Sequence, residues 1–249
     1  MRYRIVFYQR ISAVLIGCCA LLPVRADEVA RELLQHCLPA PVAISLQAGI
    51  DVEVTYKNKA PEAYHYLRLE DPQRIYIDPD GGQGPALLLD KPNAQAWRYA
   101  TDTGRFSAAG ESNTPLWLLS ETFMQPRRLD AFEVAISSHN SFGGMDYYTL
   151  NATRADAPYP KRSLSFKRAA DGRCHLMRAA YFNNDNKLDK KLFFQWRVIE
   201  GHTLLKALHL EDVSTLTAVR YHIDAVDVVD AIAPGRFPTP PGLETPGME

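Results

Sequence analysis

Leu188-Asp189-Lys190-Lys191-Leu192-Phe193-Phe194-Gln195-Trp196-Arg197-Val198 decides how this chain is read. Leu188, Leu192, Phe194, Trp196 and Val198 share even positions with Lys190, while Asp189, Lys191, Gln195 and Arg197 stand on odd ones. Only the two-residue period of a strand separates the two sets, because successive side chains leave opposite faces. Cys174–Phe182 precedes this segment and is apolar at Cys174, Leu176, Ala180 and Phe182. The connection Asn183-Asn184-Asp185-Asn186 is made of residues that tolerate turn geometry, so the two segments predict a hairpin.

Working outward, Glu200-Gly201 links to Thr203–Glu211, and Leu216–Val229 follows with Val219, Tyr221, Ile223 and Ala225 on one face. On the other side Ser163–Lys167 meets Cys174–Phe182 through Ala170-Asp171-Gly172, whose glycine can take the positive φ of a tight turn. The expectation is a four-strand antiparallel meander. One face is apolar, with Phe166, Trp196 and Leu208; the other carries mostly charge.

Toward the N-terminus, Val29, Leu33, Leu34 and Cys37 fall on one face of a short amphipathic helix over Asp27–Leu38, which Pro39 and Pro41 end. Ile50, Val52, Val54 and Tyr56 alternate with polar residues as a first strand. Tyr64–Glu70, Arg74–Asp78, Ala86–Leu89 and Ala96–Ala100 continue the pattern, and Trp97 and Tyr99 share a face. The glycines between Pro79 and Pro85 lack the lysine of a P-loop and the spacing of a dinucleotide fingerprint, so they read as a connection. Pro115–Phe123 is apolar without clean periodicity. Asp130–Ile136 and Tyr147–Thr153 read as strands around a mobile loop, Ser137–Gly144. Asn151-Ala152-Thr153 matches a glycosylation sequon inside an expected strand and is given no weight. No repeat or composition shift marks a second domain, which predicts one domain over 27–233. The proline-rich tail 234–249 is expected to wrap the surface or remain disordered.

The first 26 residues stand apart. Arg2, Arg4 and Arg10 precede an apolar run of 14 residues, Ile11–Val24, and Val24-Arg25-Ala26 offers small residues for cleavage. That run is short of the roughly 20 residues needed to cross a bilayer, so residues 1–26 predict a secretory signal and a periplasmic protein. The alternative is a lipoprotein anchored through Cys18, because Leu15-Ile16-Gly17-Cys18 resembles a bacterial lipobox. Cleavage after Ala26 removes four arginines and no acids, leaving 24 basic against 29 acidic residues, a net charge of −5. This argues against nucleic acid as a partner. Two cysteines then remain, Cys37 and Cys174, in a compartment that permits disulfides. They either bridge the helix to the meander or stay as buried thiols.

Signatures of catalysis are missing. The chain has no His-Glu-x-x-His, no Gly-x-Ser-x-Gly and no Cys-x-x-Cys, so no catalytic residue, metal site or cofactor is assigned. His202, His209 and His222 lie in or beside the late strands and read as exposed strand histidines. Ser138-His139-Asn140 puts a hydroxyl beside an imidazole, yet residues adjacent in sequence rarely face each other for proton transfer. Glu211-Asp212 and the pair Asp227 and Asp230 read as solvated turn carboxylates.

One resemblance adds to this reading. Leu87-Leu88-Leu89-Asp90, then Ala96-Trp97-Arg98-Tyr99, then Phe182-Asn183-Asn184-Asp185-Asn186-Lys187-Leu188 follow in an order that resembles the LolA-like family of periplasmic outer-membrane lipoprotein-sorting proteins. Val198-Ile199-Glu200-Gly201-His202 and the ending Val226-Asp227-Val228-Val229 with Pro234-Gly235-Arg236-Phe237 are similar to later elements of that family. The family's glycine-serine-aspartate segment after Trp-x-Tyr is not found.

The resemblance implies a mainly β fold: a strongly curved antiparallel sheet, a half-open β-barrel, with a few short helices covering its concave side. It further implies a non-enzymatic carrier or chaperone holding a lipid or a lipoprotein acyl chain in that concavity. An envelope transporter or an outer-membrane acceptor would be its partner. The residues expected to line the cavity are Phe166, Leu192, Phe194, Trp196 and Leu208, with Trp97 and Tyr99 as a second group. The competing expectation is a scaffold or sensor domain that binds a partner protein through the same sheet.

Overall fold

A computed structural model describes residues 28–38, 44–79, 85–92, 95–108, 129, 131–233 and 235–240. The expected signal at 1–26 with Cys18, the apolar segment Pro115–Phe123 and the last part of the tail lie outside these residues. Among the described residues one helix, α1, occupies positions 28–36. Thirteen strands follow: β1 Ser45–Tyr56, β2 Glu62–Glu70, β3 Arg74–Pro79, β4 Pro85–Asp90, β5 Gln95–Ala100, β6 Arg105–Ala108, β7 Glu133–Phe142, β8 Met145–Thr153, β9 Lys161–Ala169, β10 Cys174–Phe182, β11 Leu188–Ile199, β12 His202–Asp212 and β13 Thr217–Val229.

All thirteen form one open, curved antiparallel sheet in the order β6-β5-β4-β3-β2-β1-β13-β12-β11-β10-β9-β8-β7. The first strand docks beside the last, with Ile50 opposite Ile223, Val52 opposite Tyr221 and Val54 opposite Val219. Two meanders therefore grow outward from that central seam, and the chain between β6 and β7 joins the two edges. Neighbouring strands in sequence are neighbours in space throughout each arm, the simplest connection available to antiparallel strands.

Alternation explains the strands. In β1 Leu46, Ala48, Ile50, Val52 and Val54 are buried, while Asp51, Glu53 and Thr55 between them are exposed. The register carries this face across the sheet: Val52 meets Tyr221, Tyr221 meets Leu208, and Leu208 meets Phe194. Helix α1 lies on the same face, where Ala30 and Leu33 join the core. We call this face inner and the other outer.

The five segments read from Ser163 to Val229 are five consecutive strands, β9 to β13, so the meander has one strand more than the four expected, and its first strand pairs with both β8 and β10. The expected mobile loop Ser137–Gly144 is also corrected. Ser137–Phe142 is strand, and the turn contracts to Gly143-Gly144, whose φ angles of 60° and 74° suit a two-residue hairpin. Its reading failed for a physical reason: at this edge of the sheet nearly every residue from Ser137 to Phe142 is exposed, so no apolar period survives. The tail does wrap the surface as far as it is described. Phe237 is 6% exposed and packs on the outer face against a cluster containing Leu69, Tyr76, Ala86 and Leu88, with the Arg74 guanidinium 4.3 Å from its ring centroid.

Candidate functional site: the apolar inner face

The inner face from β8 to β1 is a broad, largely apolar surface, with the buried Arg162 guanidinium set over the Phe132 and Tyr181 rings at one end. Leu150, Leu164, Phe166, Leu176, Ala179, Leu192, Phe194, Leu208, Leu210 and Tyr221 are all buried in it, together with Leu33 of α1. Complete burial also drives the Tyr221 phenol well above its ordinary pKa, so it stays neutral at any physiological pH. Four of the expected lining residues, Phe166, Leu192, Phe194 and Leu208, therefore stand together on one surface beneath the helix.

Two ties hold α1 there. Cys37, just past the helix, forms a disulfide with Cys174 at the start of β10, with the Cα atoms 4.9 Å apart. Glu32 receives both terminal nitrogens of Arg168 on β9, at 2.7 and 3.2 Å. The bridge expected between helix and meander is thus formed. The ion pair is half exposed and contributes less, within the ~1 kcal/mol typical of such pairs.

Trp196, the fifth lining residue, is half-buried at the margin of this core. Its ring stacks near Phe194, centroids 6.1 Å apart, and near His175 at 6.2 Å. Its Nε1–H donates to the carbonyl of Leu176 at 2.7 Å. That contact reflects an irregularity of the sheet. The β10–β11 ladder runs from Phe182 opposite Leu188 only as far as Arg178 opposite Phe193. Above this point β10 still pairs with β9 to Cys174, and β11 still pairs with β12 to Ile199, but β10 and β11 no longer pair with each other. Leu176 N–H, turned toward the split, donates instead to the Cys37 carbonyl at 3.0 Å. The end of the helix segment and the Trp196 indole together replace the missing strand partner.

The second expected group stands elsewhere. Trp97 and Tyr99 on β5 oppose Leu88 and Ala86 on β4, and these belong to the outer-face cluster covered by Phe237. They cannot line the same surface as Trp196. Parity showed that the two share a face, but nothing in β5 alone says which one. Arg98 between them takes the inner face, opposite Leu87.

On β2 the inner face turns polar. Glu70 and Arg68 oppose Leu46 and Ala48, and both are almost fully buried. Glu70 pairs with Arg68 and, at 2.6 Å, with Lys91. Burial lowers the Lys91 pKa, and the Glu70 charge opposes that effect. Tyr56 and Tyr64 both donate to Glu62, at 2.9 and 2.6 Å, and the Tyr64 phenol is pushed up to about 12 chiefly by that hydrogen bond. These groups border the apolar surface on one side.

The outer face carries a groove of about 660 Å³ crossing β2, β1, β13, β12 and β11. Its walls mix apolar side chains, among them Ala63, Phe193 and Ala207, with the charged or titratable Asp51, Glu53, His65, His209, Arg220 and His222. They pair locally: His65 with Asp51 at 2.5 Å, Arg220 with Glu53 at 3.6 Å, His222 with Asp224 at 3.0 Å. His209 and His222 sit on neighbouring strands, but His209 opposes Arg220 and His222 opposes Ala207, so the two are offset. Among the described residues no group of three or more His, Cys, Asp or Glu is placed to hold a metal ion.

One hydroxyl–imidazole–carboxylate cluster does form, with partners other than those adjacent in sequence. His139 meets Ser141 and Asp146 on the exposed β7–β8 hairpin. Both oxygens approach the same Nε2, at 3.4 Å for Asp146 and 3.5 Å for Ser141, and the hydroxyl donates to the carboxylate at 2.5 Å. A nucleophile needs its hydroxyl proton aimed at the imidazole and the acid on the opposite nitrogen. This geometry supplies neither.

A curved open antiparallel sheet whose apolar face is overlaid by a short helix defines the LolA-like fold. The chain is similar to a LolA superfamily protein from Nitrosomonas europaea, with a TM-score of 0.60 and 15% identity over 83% of this chain and 94% of that one. It is likewise similar to a domain described as an outer membrane lipoprotein-sorting protein from Vibrio parahaemolyticus, with a TM-score of 0.63 and 13% identity over 85% and 95% of the two chains. A DUF1329 family protein from Desulfovibrio piger shares the fold with a TM-score of 0.56, 16% identity, and coverage of 85% and 92%. No protein-family model and no curated protein matches the sequence.

Proposed function

We propose that the protein is a non-enzymatic periplasmic carrier or chaperone that holds the acyl chain of a lipid or lipoprotein against the inner face of its sheet. The observation that carries this reading is the breadth of that face. Apart from the buried Arg162 at one end, apolar side chains run across it from β8 to β1, while the described residues place one helix of nine positions, 28–36, over it. An extended apolar surface overlaid by a short tethered element is suited to exchanging that cover for a ligand, each buried methylene contributing about 0.8 kcal/mol. Phe166, Leu192, Phe194 and Leu208 are the proposed contacts, with Trp196 at their margin; Trp97 and Tyr99 are not.

The envelope location is supported by the disulfide, which persists in oxidising compartments, and by the signal-like residues 1–26. The lipoprotein-sorting neighbour supports the ligand class, through fold alone. The donor or acceptor would be an envelope transporter or an outer-membrane component. The test is native mass spectrometry of the protein purified from a Gram-negative envelope, followed by lipid extraction. A bound species releasing fatty acyl chains is expected; protein that emerges empty and takes up no fluorescent acyl probe defeats the reading.

A further inference from the structure

We infer that the split between β10 and β11 is the passage by which an acyl chain reaches and leaves the inner face, and that Trp196 is its gate. The inference rests on the carrier reading and adds the route. Three observations meet at the split. The first is the missing ladder: Cys174–Met177 and Phe194–Ile199 run to the rim, each held by its other neighbour but not by the other. The ladder between β12 and β13 also stops short, at Ala207 opposite His222, but there Arg197 of β11 reaches across to donate to the Ile223 carbonyl at 2.6 Å; the other ladders of the inner surface would have to be broken.

The second is the asymmetry of the plug. Toward β10 the helix end is covalently fixed through Cys37–Cys174 and hydrogen-bonded through Leu176 N–H. Toward β11 the described closing hydrogen bond is that of the Trp196 indole to Leu176. Parting therefore occurs between the tethered helix end and β11, by rotation of one side chain. The disulfide limits the opening to that seam and keeps the helix attached when the gate is open.

The third is an apolar track along β11 toward the seam. Val198 on β11 is 56% exposed, one of the few large apolar side chains the described surface shows to solvent, while Met177 at the β10 bulge, 38% exposed beside Arg178, flanks the seam from the outer face. Trp196 lies between Val198 and Phe194 along β11, and Phe194 is buried in the core. A chain entering beside Val198 would thus pass from exposed to buried apolar contacts without crossing a charged residue on that face. The groove on the outer face lies on the other side of the sheet from this track, with carboxylates, imidazoles and a guanidinium among its apolar walls.

The test uses the full mature chain and a dansyl-labelled undecanoic acid in stopped flow, read for uptake and for release. A gate sets both rates and a lining contact sets mainly release. Trp196→Ala is expected to speed uptake and release together, by about 5-fold or more, while Kd stays within about 2-fold. Val198→Arg, at an exposed position where folding should be unaffected, is expected to slow both rates, while Met177→Arg on the outer face leaves them unchanged. Should Trp196→Ala fail to fold, the two arginine variants decide. Wild-type protein that binds the probe with rates indifferent to Trp196→Ala and Val198→Arg overturns the passage and leaves the carrier intact. A Trp196→Ala effect confined to release, with Kd moving in proportion, makes Trp196 a wall and likewise overturns it. Wild-type protein that binds no probe ends both.

Discussion

Replacing both Cys37 and Cys174 by serine is expected to cost the protein about 5 kcal/mol, and the size follows from topology. The bridge spans 137 residues of chain, so it removes a large closure entropy from the unfolded ensemble. In the chain-entropy relation a loop of that length corresponds to about 5 kcal/mol at 25 °C. Residual structure in the denatured chain would lower the figure, so 2–5 kcal/mol is the working range, roughly. For a chain of this size each kcal/mol moves Tm by about 2–4 °C, giving a fall of roughly 10–20 °C at the upper value. Thermal and guanidinium unfolding followed by circular dichroism would read it, with thiol titration confirming that the wild type is oxidised. The variant should keep native strand content, because Leu176 N–H still has the residue-37 carbonyl as acceptor. An oxidised wild type within about 1 kcal/mol of the double-serine variant would refute the argument that this bridge restrains the unfolded chain.

Three further outcomes test other parts of the structure. Glu70→Ala would remove the carboxylate that Arg68 and Lys91 share at a buried position, leaving Lys91 its bond to the Asp71 carbonyl; urea unfolding should show a loss of about 3–5 kcal/mol, and a near-neutral result would mean the cluster is solvated. Phe237→Ala empties the cover of the outer cluster and should cost about 3 kcal/mol; no loss would show that the tail is detached in solution. His175 has its pKa lowered by burial first and then by Arg173 and Lys167. A depressed imidazole binds its proton less readily folded than unfolded, so its contribution is present above the ordinary histidine range and declines as pH falls below about 6.5. Unfolding midpoints between pH 5 and 8 should show that decline, and His175→Gln should flatten it; an equal slope in both proteins would contradict the assignment.

Much of the fold was legible because strand alternation is a local signal. Leu188–Val198 and Ile50–Tyr56 display it openly, and the structure places both in strands with the inferred faces inward at Leu192, Phe194, Val52 and Val54. The two strands of the β7–β8 hairpin were legible at Glu133–Ile136 and Tyr147–Thr153, but its outer part, Ser137–Phe142, was not, since an edge strand exposed on both faces has no reason to alternate. The site was legible only in part. Phe166, Leu192, Phe194 and Leu208 converge because they lie in consecutive strands of one meander, whose register carries parity from one strand to the next. Trp97 and Tyr99 lie in the other arm of the sheet, and between them and Trp196 stands the β1–β13 seam, whose pairing joins residues far apart in the chain. No local pattern fixes the face across such a junction. The split between β10 and β11 was equally hidden, for it depends on the Cys37 carbonyl arriving from the N-terminal helix. The resemblance to lipoprotein-sorting proteins supplied the curvature that alternation cannot give.

The central claim is that the inner face receives an acyl chain, and photo-crosslinking tests it most directly. The protein would be loaded with a fatty acid carrying a terminal diazirine, irradiated, digested and mapped by mass spectrometry. The account predicts saturable labelling of peptides from β9, β11 and β12 that contain Phe166, Phe194, Trp196 and Leu208, with Trp97 and Tyr99 unlabelled. Labelling confined to the outer face, or none that an excess of unlabelled fatty acid removes, would contradict it.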